Sequence, residues 1–364
     1  MKITLFIGGL YGGGAERVMC NFANFLVGEN HDVEMLPMSD DEKTYPLDSR
    51  VKVCPLIRNN ERKNKIIDAI IRLYRLNEYM KRRTDRDAYV VMLPITTIMM
   101  LMLRGSTKAK IIASERVDPN CYPKMQKILL KKLAKRADGY VFQTEEIRNW
   151  YGDKVTDDKA SIIPNAINPD FIRPAYSGER KKNIVSVGRL NRQKNFTMLI
   201  SAFAKVSKDF PEHTLTIYGK GAQKESLIKH ATELGIVDKV LFPGQVSNIA
   251  EVIQDSQMFV LSSDYEGMPN ALMEAMALGL PCVSTDCGGG GARALINDGV
   301  NGILVPIGDT EALTNGIKRV LEDKEFAEKI SKNASEIQQK LAPQVIYGRW
   351  ERFIQDIFDF GIER

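Results

Sequence analysis

The fold is decided by the stretch SSDYEGMPNALMEAMALG, residues 262–279. An apolar run at residues 258–261 precedes it and predicts a buried parallel strand. Pro269 suits the first position of a helix, where the missing amide hydrogen would have no partner anyway. Glu266 then falls in the strand-to-helix loop, and Glu274 falls about one and a half turns inside the helix. The stretch therefore predicts one carboxylate at the mouth of a cleft and a second along its wall.

The start of this predicted helix is a candidate anion site. The first backbone amides of a helix have no partner within the helix and attract anions, phosphate above all. Here they belong to Met268, Asn270 and Ala271. The spacing of the two glutamates decides nothing by itself, because a chain with 46 acidic residues repeats any given spacing about six times by chance. Glu266 could equally complement the helix dipole.

The order of residue types from Glu266 to Pro281 is more specific than the spacing. It is Glu-Gly-x-Pro-Asn-x-x-x-Glu-Ala-Met-Ala-x-Gly-x-Pro, and another apolar strand follows at once. The string resembles the retaining, nucleotide-sugar-dependent glycosyltransferases of family 4, especially the bacterial enzymes that extend lipid-linked oligosaccharides and surface polysaccharides. This resemblance covers nearly the whole chain. It implies the α/β fold called GT-B, in which two Rossmann-like domains face each other across a cleft and a C-terminal helix crosses back to the first domain.

The composition is that of a soluble globular protein, with 364 residues, 44% of them hydrophobic and 27% charged. Five cysteines without C-x-x-C spacing argue against a disulfide framework and a zinc site and favour a reducing cytoplasm. The first apolar segment is broken by Gly8 and Gly9 and is too short for a signal peptide. The longest uncharged run, residues 88–103, is interrupted by Pro94, whereas a spanning helix needs about 20 apolar residues. We expect a cytoplasmic protein without a transmembrane segment.

Short apolar runs alternate with helical patterns in two successive series, which predicts two Rossmann-like domains. We place an acceptor-binding domain at residues 1–173, a nucleotide-sugar-binding domain at 174–342 and a returning helix at 343–364. The elements predicted in the first domain lie at residues 2–8, 31–37, 51–56, 64–83, 88–93, 110–114, 122–136 and 139–144, with a helix after Gly14. Strands of the second domain are predicted at 184–188, 214–219, 240–244, 258–262, 281–284 and 302–305.

Two further segments complete this outline. Residues 161–183, with Pro164, Pro169 and Pro174, are interpreted as the interdomain linker. The last helix is predicted at residues 344–360, after Pro343. Its apolar face comprises Ile346, Trp350, Phe353, Ile354 and Ile357.

Glycine-rich turns follow predicted strands at residues 12–14, 219–221 and 288–291. None is a P-loop, since no Gly-Lys-Ser/Thr follows, and the first lacks the G-x-G-x-x-G spacing of a dinucleotide site. Each could be only a tight turn. The string Gly-Gly-Ala-Glu-Arg that begins at Gly13 matches the resembled family, and this implies donor contacts for Gly13 and Gly14. For Gly219 a tight turn and a donor contact remain equally open.

Arg189 and Lys194 follow the first strand of the second domain in the string Gly-Arg-Leu-Asn-Arg-Gln-Lys-Asn. Loop cations are usually solvated, but this spacing after a buried strand matches the family motif that holds the nucleotide diphosphate. The resemblance implies that both cations neutralise the charge on the leaving diphosphate. It also implies that Glu274 accepts hydrogen bonds from the donor ribose and Glu266 from the transferred sugar.

Retention in the resembled enzymes is a front-face transfer, in which a donor phosphate oxygen takes the acceptor proton. Neither glutamate then needs to be a nucleophile, and the carboxylate-separation rule of glycosidases does not apply. The predicted catalytic residues are Glu266, Arg189, Lys194 and Arg116. The predicted donor-binding residues are Gly13, Gly14, Gly219, Met268, Pro269, Asn270, Ala271 and Glu274.

The chain departs from the family pattern in two places. Many relatives have a histidine after the strand equivalent to residues 110–114, where this chain has Ser-Glu-Arg-Val-Asp-Pro and supplies Arg116, which could contact the sugar or the acceptor. Relatives commonly have a glutamate where this chain has Ala294. Asn165 is a weaker candidate for a hydrogen bond in the cleft and could be only a turn residue.

The sequence favours no metal and no cofactor beyond a nucleoside-diphosphate sugar as donor substrate, for which a UDP-sugar is our expectation. Asp85-Arg86-Asp87 matches the metal-binding Asp-x-Asp of a different transferase fold. It precedes a strand in a basic loop, so we assign it to solvent.

Positive charge is concentrated in two segments of the first half. Residues 50–86 carry twelve basic and four acidic residues, and residues 121–137 carry six basic residues and none acidic. The simplest interpretation is two helices, each with an apolar face toward the core and a basic face toward solvent. The predicted apolar face of the first helix comprises Ile67, Ile70, Ile71, Leu73 and Tyr74, and that of the second comprises Ile128, Leu129 and Leu133. The excess of positive charge favours binding to an anionic partner, either lipid headgroups or a polyprenyl diphosphate. The residues assigned to acceptor or membrane are Lys124, Lys127, Lys131, Lys132, Lys135, Arg72 and Arg75.

The sequence thus predicts a metal-independent, retaining glycosyltransferase. Its donor would be a UDP-linked hexose or N-acetylhexosamine, and its acceptor a saccharide on a polyprenyl diphosphate. We expect it at the cytoplasmic face of the inner membrane, with an anionic membrane surface as partner. Nucleic acid is not indicated, since no aromatic-interleaved basic motif occurs. The alternatives are an epimerase or a phosphorylase of the same fold, or a non-enzymatic peripheral membrane protein.

Overall fold

The computed structural model describes residues 1–11, 13–40 and 45–359. Gly12 of the first glycine-rich turn and Phe360, the last residue of the predicted C-terminal helix, lie outside these ranges. The chain divides into two compact units, one comprising Met1–Ala166 with the segment that begins at Gln344, and the other comprising Ile167–Pro343. The domain boundary predicted after residue 173 falls inside the second unit.

The described part of the first unit contains seven strands. They are β1 (Lys2–Ile7), β2 (Asp32–Pro37), β3 (Lys52–Val53), β4 (Ala88–Met92), β5 (Lys110–Glu115), β6 (Gly139–Phe142) and β7 (Ala160–Ile162). All pair in parallel, in the order β3-β2-β1-β4-β5-β6-β7. The order changes direction between β1 and β4, which is the switch point of a doubly wound, Rossmann-like sheet.

Two strands of this sheet differ from the sequence prediction. The strand predicted at residues 51–56 is only Lys52–Val53. Ala160–Ile162 overlaps the segment interpreted as linker, yet it is an edge strand whose residues pair with Tyr140–Phe142 of β6. A three-residue strand close to Pro164 is too short to show an alternating pattern, and its partner lies elsewhere in the sequence.

The helices that follow these strands are α1 (Gly14–Gly28), α2 (Lys65–Arg82), α3 (Pro94–Met102), α4 (Lys124–Leu133) and α5 (Glu145–Tyr151). Side chains cap two of them: Asn64 accepts a hydrogen bond from the Ile67 amide, and Thr144 accepts one from the Ile147 amide. Leu76 of α2, Leu101 of α3 and Leu130 of α4 belong to one buried cluster with sheet residues. Helices α2, α3 and α4 therefore cover the same face of the sheet.

The apolar faces predicted for α2 and α4 are wrong in part. In α2 the chain buries Leu76 and Met80, whereas Ile67, Ile70 and Tyr74 are exposed. In α4 it buries Leu130 and Leu133 and exposes Ile128. Periodicity located the apolar stripes, but the side of each helix that faces the sheet is set by contacts distant in the sequence.

The described part of the second unit has six parallel strands in the order β10-β9-β8-β11-β12-β13. These strands are β8 (Lys181–Val187), β9 (Thr214–Tyr218), β10 (Val240–Gly244), β11 (Ser256–Leu261), β12 (Cys282–Thr285) and β13 (Ile303–Val305). The helices are α6 (Phe196–Asp209), α7 (Lys224–Glu233), α8 (Ile249–Ile253), α9 (Asn270–Ala277), α10 (Gly291–Leu295), α11 (Thr310–Glu322), α12 (Lys324–Ser335) and α13 (Ile337–Lys340). The strand order changes direction between β8 and β11, so ligands of this unit are expected at the carboxyl ends of those two strands.

The C-terminal helix α14 (Pro343–Asp359) belongs to the first unit, as predicted. The ring centroids of Phe22 in α1 lie 5.3 Å from Trp350 and 5.6 Å from Tyr347. At the other end of α14, Phe353 and Ile357 lie against Gly139 of β6, where a β-carbon would crowd both side chains. The helix therefore closes the core of the first unit.

Candidate functional site

An ion pair stands at the carboxyl ends of β8 and β11. Lys194 Nζ lies 2.7 Å from Glu266 Oε1, and the two side chains are 14% and 11% exposed. Lys194 is on the turn after β8, where its amide donates to the Asn191 side chain. Glu266 is in the loop after β11. Two residues that the sequence assigned to different parts of a donor are thus in direct contact.

Several hydrogen bonds join the two loops that carry the pair. The Asp264 amide donates to the Gln193 carbonyl at 2.9 Å, and Asn195 Nδ2 donates to Asp264 Oδ1 at 2.8 Å. Ser262 Oγ donates to the Lys194 carbonyl at 2.8 Å. These bonds fix the separation of the loops and therefore of the ion pair.

Both carboxylate oxygens of Glu266 also accept hydrogen bonds from neighbours. Ser263 Oγ donates to Oε1 at 2.9 Å, and Gln193 Nε2 lies 3.3 Å from Oε2 and 2.9 Å from the Tyr265 carbonyl. The Glu266 amide donates to the Gly288 carbonyl at 2.9 Å. Sequence reasoning missed Gln193 and Ser263. The signal that could have found them was their position in the loops that follow β8 and β11.

Helix α9 begins one residue later than predicted. Pro269 is the N-cap, with extended backbone, and Asn270 is the first helical residue. The Leu272 and Met273 amides donate to the Pro269 carbonyl. The positive end of the helix dipole is next to the loop that carries Glu266. Glu274 is the fifth residue of α9 and is buried.

Two glycines near this site are required by close packing. Gly219 has a φ of +142°, and a β-carbon there would collide with the Gly188 carbonyl oxygen. A β-carbon at Gly291 would collide with the Gly267 carbonyl oxygen in the loop before α9. The close contact with Gly188 explains why position 219 needs a glycine, whether or not Gly219 also touches a donor. Arg189 is exposed on the loop that Gly219 packs against.

Gly13 and Gly14, two of the predicted donor-binding residues, belong to the first unit. Gly13 is the N-cap of α1, and Gly14 is its first residue. Their predicted donor contacts remain predictions, as do those of Met268 and Ala271.

Arg116 is buried at the end of β5. Its Nη1 donates to Asn165 Oδ1 at 2.8 Å, and its guanidinium lies 5.2 Å from the centroid of the Trp350 ring. Gln143 Nε2 donates to the same Asn165 oxygen at 2.8 Å. Among the described residues, the Nε and Nη2 of Arg116 find no acceptor. Burial lowers the pKa of Arg116 to about 10. Asn165 is therefore more than a turn residue, because it orients a buried cation.

Glu115, next to Arg116, is a buried carboxyl that the sequence did not single out. The hydroxyls of Tyr122 and Tyr151 both donate to it, and so does the Arg116 amide. Burial raises the pKa of Glu115 to about 7 despite these hydrogen bonds. The carboxyl holds the loop that carries Arg116 against α5.

The first half of α2 turns its polar side toward the protein. Asp68 accepts a hydrogen bond from the Lys63 amide at 2.9 Å, and Arg72 Nε donates to the Met38 carbonyl at 3.2 Å. Arg75 donates to the Leu56 carbonyl at 2.9 Å and forms a two-point contact with Glu61. These partners explain why the apolar stripe of the helix faces outward.

A cavity of about 310 Å³ lies beside this part of α2, at the carboxyl ends of β1 and β2. Three cationic side chains and one carboxylate line it together with Tyr11 and Ser39. The full lining is Gly8, Tyr11, Met38, Ser39, Arg62, Lys65, Asp68 and Arg72. The cavity is thus a positively charged recess next to an exposed apolar stripe.

The lysines of the second basic segment lie on or just after α4. Lys124, Lys131, Lys132 and Lys135 are exposed, whereas Lys127 donates to the Asn120 carbonyl at 2.6 Å. Lys131 Nζ also lies 4.3 Å from the centroid of the Trp150 ring. Met125 and Ile128 are exposed among these lysines.

Within the described ranges, no group of three or more His, Cys, Asp or Glu side chains is placed to hold a metal ion. Asp85 forms surface ion pairs with Lys2 and Arg83, and Asp87 accepts a hydrogen bond from the Lys2 amide. In those same ranges, no helix is long and apolar enough to cross a membrane.

The two parallel sheets define a GT-B glycosyltransferase fold. The solved structure of HepE from Anabaena with UDP and glucose superposes with a TM-score of 0.84 at 18% identity, covering 98% of this chain and 99% of that one. A model described as Glycosyltransferase Family 4 matches residues 12–171, and one described as Glycosyl transferases group 1 matches residues 169–337. Together the two matches span residues 12–337, so the chain is a glycosyltransferase that carries a family 4 domain followed by a group 1 domain.

Two similar proteins come from Campylobacter jejuni. One is the GalNAc-alpha-(1->4)-GalNAc-alpha-(1->3)-diNAcBac-PP-undecaprenol alpha-1,4-N-acetyl-D-galactosaminyltransferase, 27% identical over 98% of this chain and 99% of that protein. The other is the N-acetylgalactosamine-N,N'-diacetylbacillosaminyl-diphospho-undecaprenol 4-alpha-N-acetylgalactosaminyltransferase, 27% identical over 96% of this chain and 97% of that protein.

Proposed function

We propose that the protein is a retaining glycosyltransferase that moves a hexose or N-acetylhexosamine from a UDP-sugar to a saccharide linked to a polyprenyl diphosphate. The names of the two Campylobacter relatives, which describe N-acetylgalactosaminyltransferases and undecaprenyl diphosphate-linked saccharides, support the acceptor and the sugar class. The complex of HepE with UDP and glucose supports the nucleotide.

The Lys194–Glu266 pair beside the start of α9 is the observation that carries the proposal. A cation and a helix N-terminus at the carboxyl ends of parallel strands suit a diphosphate. In this proposal Lys194 and Arg189 neutralise the charge that develops on the leaving diphosphate, and the amides of Met268, Asn270 and Ala271 add their dipoles. Glu266 is then beside the sugar.

The two buried glutamates take different hydroxyls of the donor. Glu274, inside α9, accepts hydrogen bonds from the ribose, and Glu266, in the loop, accepts them from the transferred sugar. A donor phosphate oxygen takes the acceptor proton, so the sugar is delivered on the face from which the diphosphate leaves. Lys194 and Arg189 supply positive charge without a metal ion or a further cofactor.

The acceptor is assigned to the first unit. Arg116 is a buried guanidinium with two donors unpaired among the described residues, and an oxygen of a bound saccharide would satisfy them. The recess lined by Arg62, Lys65 and Arg72 suits the diphosphate of a lipid-linked saccharide. Arg75 is held by Glu61 and Leu56, so its role is to support the helix beside the recess.

A membrane surface is the proposed partner, at the cytoplasmic face of the inner membrane. The exposed stripe of α2 consists of Ile66, Ile67, Ile70 and Tyr74, and lysines surround exposed Met125 and Ile128 of α4. Apolar side chains among lysines combine shallow insertion with attraction to anionic lipid.

Incubation with a panel of UDP-sugars and GDP-sugars tests this function directly. We expect binding and slow hydrolysis of one UDP-sugar, and faster UDP release when an undecaprenyl diphosphate-linked saccharide is added. The rate should survive EDTA. Epimerised donor without transfer would favour an epimerase, and failure to bind any nucleotide would favour a non-enzymatic membrane protein.

A further inference from the structure

We infer that Ser262 and Ser263, adjacent serines at the carboxyl end of β11, are positioning residues that hold Lys194 and Glu266 in register. This inference rests on the proposed roles of Lys194 toward diphosphate and Glu266 toward sugar. Under this inference the Glu266 carboxylate keeps its position when the Lys194 side chain turns from Glu266 to a donor phosphate.

Ser263 fixes the carboxylate of Glu266. Its hydroxyl donates to Oε1 at 2.9 Å, and the same oxygen accepts from Lys194 Nζ at 2.7 Å. Ser263 is fully buried, and a carboxylate oxygen has two lone pairs, so both donors are accommodated. When Lys194 turns toward a phosphate, Ser263 still holds Oε1, and Gln193 still faces Oε2. Glu266 is thereby kept in one orientation for the sugar.

Ser262 fixes the other member of the pair through its backbone. Its hydroxyl donates to the Lys194 carbonyl at 2.8 Å, and the residue is buried. The two neighbouring hydroxyls thus reach two different loops, one through the Lys194 carbonyl and the other through the Glu266 carboxylate.

We call the hydrogen bonds from Ser262 to the Lys194 carbonyl and from Ser263 to the Glu266 carboxylate the clamp. The clamp is anchored in the sheet. Thr285 Oγ1 of β12 donates to the Ser263 carbonyl at 2.6 Å. This bond ties the turn after β11 to the neighbouring strand. Because Ser263 and Thr285 are both fully buried, water does not readily replace the lost hydroxyl in an alanine variant, and the carboxylate would lose a donor.

The test compares Ser263→Ala with Ser186→Ala. Ser186 is an equally buried serine on β8 whose hydroxyl donates to the Val260 carbonyl at 2.6 Å and not to either loop of the ion pair. The transfer rate is measured as UDP release from UDP-N-acetylgalactosamine and from UDP-galactose with the lipid-linked saccharide present. Calorimetry with UDP gives the nucleotide affinity. For Ser263→Ala we expect a rate loss of about tenfold to a hundredfold, as for a hydrogen bond to a charged group. UDP affinity and melting temperature should match those of Ser186→Ala.

A double variant separates positioning from general damage. If Ser263 acts through Glu266, the Ser263→Ala/Glu266→Gln protein should be no slower than Glu266→Gln alone. Losses that multiply, or a Ser263→Ala rate equal to that of Ser186→Ala, would overturn the inference.

A crystal structure of Ser263→Ala tests the clamp without any turnover. We expect the Glu266 carboxylate to leave its position beside Lys194 Nζ, and an unchanged contact would overturn the inference. If Glu266→Gln or the absence of turnover refutes the proposed role of Glu266, this structure still decides whether Ser263 positions the carboxylate.

Discussion

Lys194 Nζ lies 2.7 Å from Glu266 Oε1, so the cation proposed for the phosphate and the carboxylate proposed for the sugar form one ion pair. Truncating either partner removes the opposite charge from a mostly buried ionic group, which affects folding as well as chemistry. Substitutions at this site therefore need a stability measurement beside each rate.

Lys194→Ala and Arg189→Ala should both slow transfer by about two to three orders of magnitude, because each removes a preorganised charge stabiliser. Only Lys194→Ala should also lower the melting temperature, since the Lys194 side chain is mostly enclosed and pairs with Glu266 whereas Arg189 is exposed. Steady-state rates and thermal unfolding check both statements. Lys208→Ala, at an exposed position of α6, is the matched control. Unaltered rates in both site variants would place the diphosphate elsewhere.

Glu274→Ala should weaken binding of plain UDP, because the proposed ribose contact exists without a sugar. Glu266→Ala should leave UDP affinity nearly intact and slow transfer. Calorimetry on both variants separates the two effects. Similar losses of UDP affinity would refute this division of roles.

Membrane attachment should depend on both charge and apolar contact. Reversal of Lys124, Lys131, Lys132 and Lys135 to glutamate should reduce binding to anionic vesicles by more than an order of magnitude at low salt, at roughly 1 kcal/mol per charge near the surface. Ile66→Asn/Ile70→Asn should reduce binding at high salt as well, because these exposed side chains lie in the stripe proposed to insert.

Vesicle co-sedimentation with and without anionic lipid measures both effects. Lys324→Glu/Lys329→Glu on α12 reverses lysines of the other unit and should bind like the parent. Binding that ignores lipid charge would mean that the lysines are only a solvated face and that the acceptor is a soluble glycan.

The stability of the first unit should fall as pH rises from about 4.5 to about 7. Burial raises the pKa of Glu115 from 4.5 to about 7, so the folded chain keeps its proton while the unfolded chain loses it. The favourable contribution is complete below pH 4.5 and is lost as pH passes through 7. Denaturant unfolding across this range, with Glu115→Gln as comparison, measures the slope. An identical slope in Glu115→Gln would assign the pH dependence to other groups.

Much of the fold follows from the sequence because its signals are local. Buried parallel strands such as residues 258–261 are continuous apolar runs, and alternation with helices implies parallel sheets. The strand Ala160–Ile162 was missed because three residues carry no period. Which side of α2 faces inward was also unpredictable, since Arg72 and Arg75 are held by carbonyls of Met38 and Leu56, distant in the sequence.

The sequence was sufficient to predict which loops and helices carry the site residues, but not which side chains contact each other. The motif string placed Glu266 in the loop and Glu274 inside the helix that follows, where they are found. It could not reveal that Lys194 touches Glu266, because the contact depends on how the ends of two strands pair across the sheet. Asn165 looked like a turn residue because its partner, Arg116, comes from a different strand.

The return of α14 to the first unit has a consequence for the nascent chain. Strands β1–β7 leave the ribosome first, but Phe22 of α1 finds Tyr347 and Trp350 only after residues 167–343 have been made. The second unit is continuous in sequence and can complete its core before then. During synthesis the N-terminal half therefore waits with Phe22 uncovered, and we expect a released fragment that ends at Pro343 to fold its second unit while the first unit lacks its aromatic cover.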